Sequence, residues 1–265
     1  MSVTRKDPSL RTNGDFDRLK SIVEGLKTNR CPTDEEIQWI LDHRAIVISP
    51  LLDILDATAR WTSLPKEHAD APMHAIFLLA ALEAAEAWKP LERILRKDFD
   101  GFLDGFFGDI LTECLPWAVA RIAKEDTRAL IRLAEDRKLN TWMRNCSLRA
   151  LAIQAVLWSD KEKKVLSHFR RWLRSAHLDP DPDWPTHLAG SLADLGGPEK
   201  LTAEIHELFE QDLVDPFVIA EEDVDCFPRV HEAQRSIFEI YRSYGWLIAW
   251  QDSKIGGGRK RKRHS

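Results

Sequence analysis

Ser147-Leu148-Arg149-Ala150-Leu151-Ala152-Ile153-Gln154-Ala155-Val156, followed after a short polar turn by Val165, Leu166, Phe169 and Leu173, decides the fold. The first run is rich in Ala and Leu. The second spaces its apolar residues three and four apart, the period of an amphipathic helix. Between them Ser159 and Glu162 read as a capping box, the hydroxyl accepting from a first-turn N–H while the carboxylate reaches back. The same plan recurs in His74–Leu82 with Leu91–Leu95, in Pro116–Ile122 with Leu130–Leu133, and in His187–Leu195 with Leu201–Leu208. The last core residues of the four first runs, Leu82, Ile122, Val156 and Leu195, are 40, 34 and 39 residues apart. Helical-hairpin repeats of the HEAT and armadillo type have a period of roughly 40–47 residues. The expected fold is all-α, a HEAT-like stack of helical hairpins forming an α-solenoid. Small residues such as Ala80, Ala118 and Ala150 let neighbouring first helices approach. A single hairpin cannot bury its apolar faces, so each must pack on the next.

Working outward, the stretch from Phe16 to Trp61 holds two or three more helices and is expected to cap the stack. Thr33 with Glu36 forms a second capping box ahead of Ile37 and Ile40. Pro50 and Pro198 stand where first helical positions are expected, and Gly196-Gly197 and the Asp179–Asp183 stretch read as stops. One long helix over about His231–Trp250 is expected to close the other end. The expected organisation is a disordered N-terminus over residues 1–15, one α-helical repeat domain over 16–251, and a flexible basic tail over 252–265.

Composition narrows the function classes. Of 265 residues 44% are hydrophobic and 31% charged, which suits a globular domain. Formal net charge is −5. Setting aside the five basic residues Arg259, Lys260, Arg261, Lys262 and Arg263 leaves 33 basic against 43 acidic side chains, a body of net charge −10. Such a body argues against a general nucleic-acid binder. Cys31, Cys114, Cys146 and Cys226 form no CxxC, so neither a zinc ribbon nor a disulfide scaffold is indicated. The stretch from Met1 to Pro8 has no apolar segment, and the longest apolar run, Ala75–Leu82, is far short of the ~20 residues that span a bilayer. A cytoplasmic protein with no membrane partner is expected.

Three segments carry a resemblance: His74-Ala75-Ile76-Phe77-Leu78-Leu79-Ala80-Ala81, Gly108-Asp109-Ile110-Leu111-Thr112-Glu113-Cys114-Leu115-Pro116, and Leu213-Val214-Asp215-Pro216. They resemble the bacterial HEAT-like family called domain of unknown function 1186, over about residues 30–230. The resemblance implies an α-helical repeat fold in bacterial cytoplasm with no established activity, and it carries over no catalytic residues. The tail from Ile255 to His264 is similar to the end of a SEC-C motif in its glycines and basic run. Ser253 and Ile255 stand where that motif's zinc-binding cysteines would be, so a degenerate tail without metal is expected.

No chemistry-bearing motif survives inspection. His206-Glu207 and His231-Glu232 lack the second histidine of HExxH, and neither GxGxxG, a P-loop nor GxSxG occurs. Cys114 and Cys146 read as core residues. No catalytic residue, metal or cofactor is expected. One concentration stands out: Lys163, Lys164, Arg170, Arg171 and Arg174 line one side of a helix whose other side carries Val165, Leu166, Phe169 and Leu173. Together with Arg259–Arg263 these are the candidate contacts for an anion or an acidic partner. Trp88, Trp117, Trp142, Trp158, Trp172 and Trp184 are expected to wedge between hairpins. The expected function is a non-catalytic scaffold for a protein or peptide partner. Two alternatives stay open: a nucleic-acid-associated protein using the basic helix and tail, and an enzyme with a concave carboxylate pocket.

Overall fold

The computed structural model describes residues 13–28, 30–64, 70–97, 102–193 and 201–226. Among them the chain is all α, with thirteen α-helices and no strand. The first three, α1 (Asn13–Lys27), α2 (Asp34–Asp42) and α3 (Arg44–Ala59), precede four helical pairings. These are α4 (Ala71–Ala81) with α5 (Trp88–Leu95), α6 (Ile110–Glu113) leading into α7 (Leu115–Ile122) with α8 (Thr127–Glu135), α9 (Thr141–Leu157) with α10 (Ser159–Arg174), and α11 (Trp184–Ala193) with α12 (Thr202–Glu210). A short α13 (Glu221–Cys226) packs on α12 and α11. The expected repeat runs thus fall on α4/α5, α7/α8, α9/α10 and α11/α12. Helix α1 begins before Phe16, where the sequence reading opens the domain. The expected closing helix, the Gly196-Gly197 stop, Pro198 and the basic tail lie outside the described residues.

The helix types follow from their residues. α4 is apolar all round, and every residue from Ala71 to Ala80 is buried, as expected of a helix enclosed by others. α5, α8 and α10 are amphipathic and bury one side only. α9 is the hub, packing against α7, α8, α10 and α11. Helices α4, α7, α9 and α11 pack in a row, and their Ala80, Ala118, Ala120 and Ala150 are wholly buried.

Local signals were partly overridden. Thr33 and Glu36 form the expected capping box, and Arg30 grips both oxygens of Glu36 at 2.7 and 2.8 Å. The Ser159 box is not made. Ser159 is already helical, and Trp158 takes the cap position without a side-chain bond, its ring approached by the ammonium groups of Lys124 and Lys161. Pro50 does not start a helix either. It lies inside α3, which is continuous from Arg44, because packing of α3 on α1, α2, α4 and α5 outweighs one lost backbone bond.

Buried polar groups bind successive pairings together. Gln154, wholly buried, donates to the carbonyls of Ala120 and Ala123, both at 3.0 Å, and accepts from Thr127 Oγ1 at 2.8 Å. Arg144, 2% exposed, donates to Ala134 O, to both oxygens of Asp179 and to Asp181, and lies 3.9 Å from the Trp184 ring centre. Asp179–Asp183 is therefore a strap fastened to α9 as well as a helix stop. Glu83 closes α4 in the left-handed region at φ 45° and meets Lys124 of the next pairing at 2.7 Å.

Candidate functional site

On α9, Trp142, Asn145 and Arg149 are three and four residues apart and share one face. On α11, Thr186 and His187 sit one turn from Gly190 and Ser191. These two faces look onto a cavity of about 510 Å³. Thr112 and Glu113 of α6 close one side, and Asp215, Val218 and Ile219 close another.

The walls are fastened by their own hydrogen bonds. The Arg149 guanidinium donates to the carbonyl of Thr112, joining α9 to α6. The N–H of Asp215 donates to Thr186 Oγ1 at 2.9 Å, holding the segment after α12 against α11. The Ser191 hydroxyl reaches Asn145 Oδ1 at 3.4 Å, a long contact across the floor.

The lining mixes apolar and polar groups and is unevenly charged. Glu113, Asp183 and Asp215 are exposed carboxylates at the mouth, against the single half-buried guanidinium of Arg149. His187 is 8% exposed, and its Nε2 is shut off from solvent without a hydrogen-bond partner. Burial holds its pKa below the ordinary value, opposed by the charges of Asp181 and Asp183 and assisted by Arg144, so the ring is neutral at neutral pH. Beside it stands Trp142, with ring centres 5.4 Å apart and 45% of the tryptophan exposed. Of the six tryptophans expected between hairpins, Trp88, Trp117, Trp172 and Trp184 are buried; Trp142 alone is exposed. Phe217 and Val218 are also exposed next to the mouth.

Gly190 is a second unusual feature of this wall. A glycine inside a helix is roughly 0.8–1 kcal/mol less favourable than alanine. A Cβ built on Gly190 meets nothing within 4 Å, so no packing among the described residues requires its absence.

The residues expected as a basic site lie elsewhere. On α10, Arg170 bonds Glu204 of α12 at 2.9 Å, and Arg174 approaches the same carboxylate at 3.9 Å. Arg171 pairs with Glu135 of α8. Lys163 and Lys164 are exposed. Acids of both neighbouring pairings thus interleave with this cationic face. Arg259–Arg263 lie outside the described residues. Cys114 and Cys146 are buried, and burial pushes the Cys146 thiol up to about 12, as suits core residues. His206 meets Glu221 at 2.9 Å, and among the described residues no three metal-ligating side chains converge. Nor is any helix among them long and apolar enough to cross a membrane.

A family model described as protein of unknown function (DUF1186) matches residues 18–248. The chain belongs to this family. No curated protein and no solved structure matches it. Two of the three segments that carry the DUF1186 resemblance meet at the cavity, Thr112 and Glu113 from one and Asp215 from the other. The third forms the buried α4. Sequence reasoning missed Trp142, Asn145, Arg149, His187 and Gly190 as a group. The available signal was a polar stripe on two otherwise apolar helices, with a glycine in the middle of one of them.

Proposed function

We propose that the chain is a non-catalytic, cytoplasmic scaffold of HEAT-like helical hairpins stacked as an α-solenoid, and that it binds a peptide segment of a protein partner in the cavity between α9 and α11. The stack is supported by the regular reach of its long-range polar contacts. Lys97 to Trp61 O, Lys124 to Glu83, Lys161 to Lys124 O, Arg149 to Thr112 O and Arg96 to Asp136 all join residues 36 to 41 apart. That separation is close to the 34–40-residue steps of the sequence pattern. A solenoid of this kind presents the first helices of successive hairpins side by side on one curved surface.

The observation that carries peptide binding is the mixed character of that cavity. An exposed indole offers an apolar face, while Asn145 and Ser191 offer neutral donors and acceptors that match a peptide bond. A volume of about 510 Å³ accommodates one or two side chains with their backbone. Catalysis gains less support, because none of the three carboxylates is buried. Nucleic-acid binding gains less as well, since Arg170, Arg171 and Arg174 are already engaged by acids.

The test is selection from a random peptide library displayed on phage, against the full-length chain. Enriched peptides, synthesised and titrated, should saturate at one per chain and change the tryptophan emission. That change should be lost in Trp142→Phe. No enrichment above background, or binding unaffected by Gly190→Leu, would overturn the reading.

A further inference from the structure

The cavity has an unbalanced rim and an unfilled floor. At the rim, three carboxylates face one guanidinium, and the acidic body behind them has a net charge of −10 once the tail is set aside. Inside, His187 keeps a solvent-excluded nitrogen with no partner, although buried polar atoms are nearly always satisfied. One turn along α11, Gly190 leaves open space where any other residue would place a Cβ. A glycine with no neighbour to accommodate among the described residues allows close approach of a ligand to the helix backbone. Trp142 shows nearly half its surface at the same wall.

We propose that the cavity is a receptor for a cationic side chain, arginine or lysine, presented on the partner's peptide; this rests on the peptide-binding reading above. The chemistry of each wall fits that occupant. The carboxylates of Glu113, Asp183 and Asp215 attract the charge and bond its N–H groups. The indole of Trp142 offers its electron-rich face to a guanidinium or ammonium. The Gly190 gap lets the peptide backbone approach α11 closely, beside Asn145 and over the buried His187. An anionic side chain would meet the same three carboxylates and be repelled.

The experiment uses positional-scanning nonapeptide mixtures, each with Arg, Lys, Leu or Glu fixed at one position, retained on immobilised full-length protein. The comparison proteins are Gly190→Leu, whose Cβ meets nothing within 4 Å among the described residues, and the double variant Asp183→Asn/Asp215→Asn. Gly190→Ala, a milder filling, and the circular dichroism of each variant guard against misfolding. The expected result is about tenfold greater retention of Arg- and Lys-fixed mixtures than of Glu-fixed ones, fading as salt rises from about 50 to about 300 mM. It should vanish in Gly190→Leu and weaken in the double variant. If Leu- or Glu-fixed mixtures are retained best and Gly190→Leu abolishes that, peptide binding stands and the cationic assignment falls. If no mixture distinguishes the wild type from Gly190→Leu, both fall.

Discussion

Removing the Arg144 guanidinium, as Arg144→Met, should destabilise the protein by about 3–4 kcal/mol, near the cost of leaving a buried charge without its partner. The geometry sets this magnitude. Side-chain exposure is 3% for Arg144 and 7% for Asp179, and the pair is bidentate at 2.9 and 3.1 Å. Met keeps much of the apolar stem but loses the contact with Trp184 at 3.9 Å and the bonds to Ala134 O and Asp181. Arg137, which reaches Asp179 at 3.3 Å but is largely exposed, offsets only part of the loss. For a chain of this size the deficit corresponds to roughly 10 °C in Tm.

The pH dependence separates this mechanism from simple loss of packing. In the wild type, burial works against the Asp179 charge, but hydrogen bonds from Arg144 and the Asp181 N–H, with the fields of Arg144 and Arg137, outweigh it and lower the pKa below 3.8. That stabilisation is present above the unfolded pKa and is lost as pH falls through the folded one. In Arg144→Met the sign reverses. A buried carboxylate facing no adequate cation has a raised pKa, so its penalty is present at pH 7 and relieved as it protonates. The difference between wild type and variant, measured by urea denaturation, should therefore shrink steadily from pH 7 to about pH 4. Adding Asp179→Asn to the variant should restore a large part of the loss. A deficit under about 1 kcal/mol, or one that stays constant with pH and ignores Asp179→Asn, would refute the account.

Three further outcomes follow. Burial depresses the His74 pKa from 6.5 to about 4, so its proton titration by NMR should have a midpoint near 4. Both states are neutral above pH 6.5, and the unfolded state alone gains the proton below it. Stability should then fall by about 3 kcal/mol between pH 6.5 and pH 4 from this group, and a midpoint near 6.5 would contradict it. Iodoacetamide mapped by mass spectrometry should label exposed Cys31 in the native protein and reach Cys114 and Cys146 only on unfolding; native labelling of Cys146 would be inconsistent with its buried, raised thiol. Thr33→Ala should cost about 1 kcal/mol by thermal denaturation, since it removes the hydroxyl that accepts from Glu36 N–H, and a neutral result would show the Arg30–Glu36 pair suffices.

What the sequence made legible, and what it concealed, divides by the range of the interaction. The Thr33 box could be read because both partners are within one turn, and the alternation of apolar runs could be read because helix period is local. Ser159 offered the same local signal and lost it to Trp158, whose ring is placed by Lys124 from another pairing. The Asp179–Asp183 stretch read as a chain stop because its acids and prolines break helices, yet its role depends on Arg144, 35 residues earlier. The basic run on α10 read as a charge concentration because Glu135 and Glu204, which neutralise much of it, are distant in sequence.

The cavity was concealed by the same rule in a sharper form. Its residues are each unremarkable alone: a tryptophan near a helix start, an asparagine and an arginine among apolar neighbours, one histidine, one glycine. Their polar face is a local pattern on each helix, at spacings of three and four. Only the packing of α9 on α11 turns the two faces toward one space. A buried interface between these helices would have filled Gly190 with a side chain and given His187 Nε2 a partner within the chain. Neither is the case among the described residues. The proposed peptide is therefore tested at these positions, and the open space beside Gly190 is where it can be probed without removing a core side chain.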